Sequence, residues 1–216
     1  KFINTDLSNT NFNNANLTNV SFENVFFSNT IFTDSILNNI STNNVIGNAI
    51  LPYGYKLVSN HIFGPDVNLS NVVLVTTTDL YEVNLSNANL RNISTENYIV
   101  PVTGIGIQLP YGYTIQNGAL VGPYVSINKV NLSNFNYVNV LLEGITSDGN
   151  VTFGIDSNGN EIKDSDDSHL LPDNYFVRSG YLFGPDVNLT NVDIKNNFNI
   201  KNIEFSNVST TQITKI

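Results

Sequence analysis

The stretch KFINTDLSNTNFNNANLTNVSFENVFFSNTIFTDSILNN, residues 1–39, decides the fold. Every fifth residue from Phe2 is Leu or Phe: Phe2, Leu7, Phe12, Leu17, Phe22, Phe27, Phe32 and Leu37. Two residues after these centres stand Asn4, Asn9, Asn14, Asn19, Asn24, Asn29, Asp34 and Asn39. Two residues before most of them comes a small or β-branched side chain: Thr5, Thr10, Ala15, Val20, Val25, Thr30 and Ser35. A period of five matches neither the 3.6 of a helix nor the 2 of a flat strand. It fits a chain that extends briefly and turns, again and again. The centre and the residue two before it share a side, as in a strand. Asn suits the turn because it tolerates left-handed backbone angles and hydrogen-bonds locally.

The pattern recurs. Leu69 and Leu74 are in register, one residue is inserted, and Leu80, Leu85, Leu90 and Thr95 continue. Ile127, Leu132, Tyr137 and Leu142 form a further block. Leu189 and Ile194 come last, with the same slip before Ile200, Phe205 and Thr210.

A longer unit surrounds the Leu-Pro pairs at Leu51, Leu109 and Leu171, spaced 58 and then 62 residues apart. The copies read LPYGYKLVSNHIFGPDVNL, LPYGYTIQNGALVGPYVSI and LPDNYFVRSGYLFGPDVNL. Each predicts a β-hairpin turning at Ser59-Asn60, Asn117-Gly118 or Ser179-Gly180, followed by a Gly-Pro stop. The third copy has Asp173 and Asn174 in place of Tyr and Gly, so a different first turn is expected there. Connectors beginning Ile-Ser-Thr or Ile-Thr-Ser precede the hairpins. Before the centres of the second coil stand Phe26, Ile31 and Ile36, an apolar outer face that calls for a cover. The hairpin is expected to supply it.

The segments NANLTN (residues 14–19) and NANLRN (residues 87–92) closely resemble the consensus of the pentapeptide-repeat family. The resemblance implies an all-β fold: a right-handed quadrilateral β-helix, about four pentapeptides to the coil, here interrupted by three hairpin modules. The Leu-Pro…Gly-Pro modules resemble those of some bacterial and giant-virus members. One departure is the bulk two before the centre at Phe135, Ile145, Phe198 and Ile203, which predicts wider coils there. The organisation expected is one continuous solenoid: coils over 1–42, then modules at 43–108, 109–170 and 171–216.

Composition narrows function. The chain of 216 residues carries 39 asparagines, and only 12% of it is charged. Poor helix formers in such number exclude a helix bundle. The net charge of −9 speaks against a nucleic-acid partner, which needs Lys and Arg to displace counterions. The absence of Cys removes disulfides and thiolate metal sites. No apolar run long enough to insert in a membrane is present.

No catalytic constellation emerges, and no cofactor is expected. His61 aligns with Ala119 and Tyr181 in the other copies, which reads as a strand position. His169 lies in an acidic connector, where Asp148 to Asp173 hold seven of the 18 acids. Within it, Asp156, Asn158, Asn160 and Glu161 are a calcium candidate, though Glu161 stands where a calcium loop needs glycine. A hairpin turning at Asn158-Gly159 is the preferred reading. Sequons such as Asn16, Asn68 and Asn188 are written largely by the repeat itself.

The expected function is therefore non-enzymatic: a structural or interaction solenoid within a larger surface, fibre or virion protein, self-associating through solenoid ends. Phe2 is in full register at residue 1, with no cap before it. An extracellular or virion location is favoured. Two alternatives stand beside this: an acidic DNA mimic that binds a type II topoisomerase, as some family members are, and a module that binds a glycan.

Overall fold

The repeat works as a turn generator. In this computed structural model Asn4, Asn9, Asn14, Asn19, Asn24, Asn29, Asp34, Asn39 and Asn44 all lie in the left-handed region, with φ between 50° and 63°. The centre carbonyls of Leu7, Phe12, Leu17, Phe27, Phe32 and Leu37 each accept a bond from the N–H three residues on, as in Thr10 N to Leu7 O (3.0 Å) and Thr30 N to Phe27 O (2.9 Å). Asn is tolerated at this point of a turn where most side chains are strained. In the first coil the residue before the centre adds a second bond: Asp6, Asn11 and Asn16 each accept, through Oδ1, the backbone N–H two residues on at 2.9–3.0 Å. Two polar positions in five thus serve one corner.

The structure describes residues 1–75, 80–96, 107–153, 157–158, 171–190 and 192. They fall into two units. The first holds the described residues among 1–72, 80–91 and 107–110, the second those among 73–75, 92–96 and from 111 onward.

In the first unit, β1 (Phe2–Ile3), β2 (Ser21–Phe26) and β3 (Ser41–Ile46) form one parallel sheet. The register Phe2↔Phe22↔Thr42 makes each coil 20 residues, four pentapeptides, and closes the right-handed β-helix. Side chains at one position stack coil over coil, about 4.8 Å apart. Phe2 stacks on Phe22 (centroids 5.3 Å, 5°) and Phe12 on Phe32 (5.2 Å, 16°), while Phe27 meets Phe22 and Phe32 edge-on. Phe22, Phe27 and Phe32 are fully buried, as are Val25 and Ile40 two before the centres. Buried hydroxyls are satisfied by backbone: Thr30 Oγ1 donates to Leu7 O (2.8 Å) and Ser35 Oγ to Phe32 O (2.7 Å). Outside, amides form ladders. Asn44 Nδ2 donates to Asn24 Oδ1 (2.9 Å), and Asn24 Nδ2 to Asn4 Oδ1 (3.0 Å).

The first hairpin pairs β4 (Lys56–Val58) with β5 (His61–Phe63), antiparallel, across Ser59 and Asn60, whose φ are 45° and 65°. Two successive positive angles define the turn whose twist matches paired strands. The hairpin does not cover the outer face of the second coil. Phe26 and Ile36 stay 50% and 48% exposed. Phe26 instead pairs with Ile46 and Ile31 with Ile50, each apolar residue stacking on one in the next coil. The hairpin docks on the end of β3: Asn60 O accepts from Val45 N (3.0 Å), and Thr42 Oγ1 accepts from Ile62 N (2.9 Å). An open backbone edge draws the hairpin more strongly than an apolar face, because its unpaired polar groups are costly to bury. Residues 66–71 then resume the coil, with Asn68 bridging Ser41 on one side and Asn89 on the other.

In the second unit, β6 (Val73–Leu74), β7 (Ser94–Glu96), β10 and β11 form a parallel sheet in the order β11-β10-β7-β6, where β10 is Ser126–Asn128 and β11 is Thr146–Ser147. Between β7 and β10 the second hairpin pairs β8 (Thr114–Gln116) with β9 (Ala119–Val121). The third pairs β12 (Phe176–Arg178) with β13 (Tyr181–Phe183). The third copy keeps its first turn. Asn174 takes φ 68°, Gly54 and Gly112 take 84° and 87°, and Tyr175 N bonds Pro172 O (3.0 Å) just as Tyr55 N bonds Pro52 O (3.1 Å). Asn here does what Gly does in the other copies. Phe135 and Ile145 are buried, so the bulky positions do enter the interior. The Tyr137 hydroxyl is buried without a partner, and burial pushes it well above its ordinary pKa.

Candidate functional site

The residues shared by the three copies of the long module build a clasp rather than a reactive centre. Tyr55, Tyr113 and Tyr175 lay their rings on Gly64, Gly122 and Gly184, where a Cβ would stand 2.0, 2.3 and 2.2 Å from ring carbon. Each hydroxyl donates to the carbonyl of the following proline: Pro65 (3.1 Å), Pro123 (2.9 Å) and Pro185 (2.8 Å). Burial raises the pKa of Tyr55 and Tyr175, and the nearby Asp66 or Asp186 charge adds to it. Both therefore stay protonated donors at neutral pH. Absent Cβ atoms thus explain why glycine precedes the proline.

The hydroxyl of the Ile-Ser-Thr or Ile-Thr-Ser connector is a second part of the module. Thr42 Oγ1 accepts from Ile62 N, and Ser147 Oγ accepts from Leu182 N, each 2.9 Å. The motif is visible in the sequence, but nothing there says which backbone group it serves.

The candidate chemistry is thin. His61 Nδ1 lies 2.5 Å from Thr42 O, which fixes the proton on that nitrogen. Burial lowers its pKa despite that bond. The ring is half-buried on a hairpin strand, as its alignment with Ala119 and Tyr181 predicts. Of the calcium candidates, only Asn158, in a turn, is among the described residues. Asp156, Asn160, Glu161 and His169 lie outside them. Among the described residues no three His, Cys, Asp or Glu side chains gather where a metal ion could sit. Nor is any described helix long and apolar enough to cross a membrane.

Among the described residues, two concavities of the first unit stand out. One, of about 340 Å³, runs beside the coil stack past Glu23, Ser41, Asn43, His61 and Asn68. The larger, about 680 Å³, opens under the first hairpin between Tyr53, Tyr55, Lys56, Tyr81, Asn84 and Gln108. Tyr53 is fully exposed and Tyr81 is 45% exposed. Lys56 Nζ donates to Tyr81 O (3.4 Å), and a hydrogen bond to Glu82 raises the Tyr81 hydroxyl above its ordinary pKa. Asn84 and Gln108 sit on adjacent coils, bridged backbone to backbone.

A coil of four five-residue corners, filled by Leu and Phe and laddered by Asn, defines a class: the pentapeptide-repeat solenoid. Residues 1–39 match the family model described as pentapeptide repeats, in eight copies. That match spans the first two coils, and over residues 1–39 the chain is a pentapeptide repeat. No curated protein matches it. Among solved structures it is similar to that of trypsin-treated QnrB1, a plasmid-mediated fluoroquinolone resistance protein. Identity is 16% and the TM-score 0.21, over 68% of this chain and 74% of the other.

Proposed function

We propose that the chain is a non-enzymatic structural and interaction solenoid, a segment of a larger surface, fibre or virion protein. The observation that supports this reading best is the use made of the polar side chains. Asn amides bond the coil above or the corner below, as in the Asn4–Asn24–Asn44 and Asn9–Asn29–Asn48 ladders, instead of converging on a centre. The boundary between the first two coils is crossed by backbone bonds, amide bonds and stacked rings at once. Bending would break all three together, which makes stiffness the natural property of such a stack.

The partners in this reading are proteins, further copies of the chain among them. A parallel ladder gives every coil the template the next one uses, so coil-to-coil association needs no new chemistry. Sedimentation velocity over a wide concentration range tests this. Larger species growing with concentration are the expected result. A strict monomer throughout would remove self-association, and turnover of any polysaccharide would remove the non-enzymatic reading.

A further inference from the structure

The 680 Å³ cleft under the first hairpin has features that coil stacking does not use. Tyr53 stands wholly in solvent at a turn, held by Gly54 at φ 84° and by the Tyr55 N to Pro52 O bond. Tyr81 faces the same cleft from the next coil, half-exposed. Exposed rings on a concave surface are a binding feature more than a folding one, since folding gains nothing from them. Asn84 and Gln108 line the same cleft; their oxygens accept from Ser86 N (2.9 Å) and Ser86 Oγ (3.3 Å), and their amide NH2 groups are the donors offered to a ligand. Lys56 and Glu82 bring one charge of each sign, so the cleft favours neither anions nor cations. Two flat apolar faces with amides in the same cleft, and no net charge, suit an uncharged ligand that shows C–H faces and many hydroxyls.

We infer that this cleft binds a neutral glycan, with Tyr53 and Tyr81 stacking on sugar rings and Asn84 and Gln108 bonding their hydroxyls. This goes beyond the scaffold reading and does not depend on self-association. A nucleic-acid strand would use the same rings, but the chain's net charge of −9 opposes its phosphates.

The second module supplies an internal contrast. Gly112 packs against Leu141 as Gly54 packs against Asn84, so Leu141 occupies the position of Asn84. Val138, 74% exposed, stands in the place of Tyr81, and Tyr111 in the place of Tyr53. That face keeps one ring and lacks the amide, so it should not bind.

Isothermal titration of the full chain with cellohexaose, mannohexaose and chitohexaose tests the inference. At least one should bind with a Kd of about 1 mM or tighter. Tyr53→Ala and Asn84→Leu should each weaken it about tenfold or more, while Tyr111→Ala leaves it unchanged. Tyr53 touches nothing the fold needs, so an unchanged circular-dichroism melt serves as the folding control. No heat from any of the three hexasaccharides, full affinity in Tyr53→Ala, or equal losses in Tyr53→Ala and Tyr111→Ala would each overturn it. Binding of oligo-dT in preference to all three sugars would overturn it as well.

Discussion

Gly64→Ala is the sharpest probe of the clasp. The added methyl would lie 2.0 Å from Tyr55 Cδ1 and 2.5 Å from Cε1, against an ordinary contact of about 3.5–4.0 Å. The ring must therefore retreat by more than an ångström. The Tyr55 hydroxyl, 3.1 Å from Pro65 O, has no slack to follow and loses its bond. Overpacking typically costs about 1–3 kcal/mol. The lost hydrogen bond adds about 1 kcal/mol. Together these predict a loss of roughly 2–4 kcal/mol, or roughly 4–16 °C in Tm for a chain of this size. Thermal and urea melts followed by circular dichroism measure it. Tyr55→Phe, which removes the hydroxyl and keeps the ring, should cost only about 1 kcal/mol. The double variant decides the mechanism: with Tyr55→Ala already present, Gly64→Ala should cost almost nothing further, since the methyl then has room. Full additivity of the two changes, or a Gly64→Ala melt matching the parent, would refute the clasp.

Thr42→Val keeps the shape but removes the acceptor for Ile62 N, a buried donor, and should cost about 1–3 kcal/mol. Thr42→Ser should restore most of it, and Ser147→Ala should show a similar loss in the second unit through Leu182 N. His61 has a folded pKa lowered by burial, so its neutral form belongs to the fold. Stability from this group is full above the unfolded value of about 6.5 and falls as pH drops through 6.5 toward the folded value. Urea midpoints should show that decline in the parent and lose that part of it in His61→Gln. Asn29→Ala should cost about 1–2 kcal/mol, because Ala resists φ 59° and both ladder bonds go. Asn29→Gly should cost less, since glycine restores the angle, and equal melts for the two would contradict this.

Much of the fold was legible because the five-residue pattern is local physics. Asn at a left-handed corner and Leu or Phe at an inward centre decide the turn and the inside within a few residues of chain. The three hairpin turns were legible for the same reason. Other corners were hidden. Glu82, Tyr124 and Lys129 take the same left-handed angles, with φ 53–58°, although nothing in their identity favours it. The stack imposes the corner there at a local cost of about 1–2 kcal/mol each.

The sequence alone therefore determined what repeats: the corner, the filled interior and the antiparallel hairpins. Only the tertiary structure decided what touches what across nine or more residues. It set the hairpin on the open edge of β3 instead of over Phe26 and Ile36, paired Thr42 with Ile62, and laid Tyr55 on Gly64. It also brought Tyr53 to face Tyr81 across a cleft. The reason is one of range. Backbone angles answer to near neighbours, whereas a clasp depends on the register of a hairpin and a cleft on the register in which distant coils meet, and a one-residue slip in either changes every such pair.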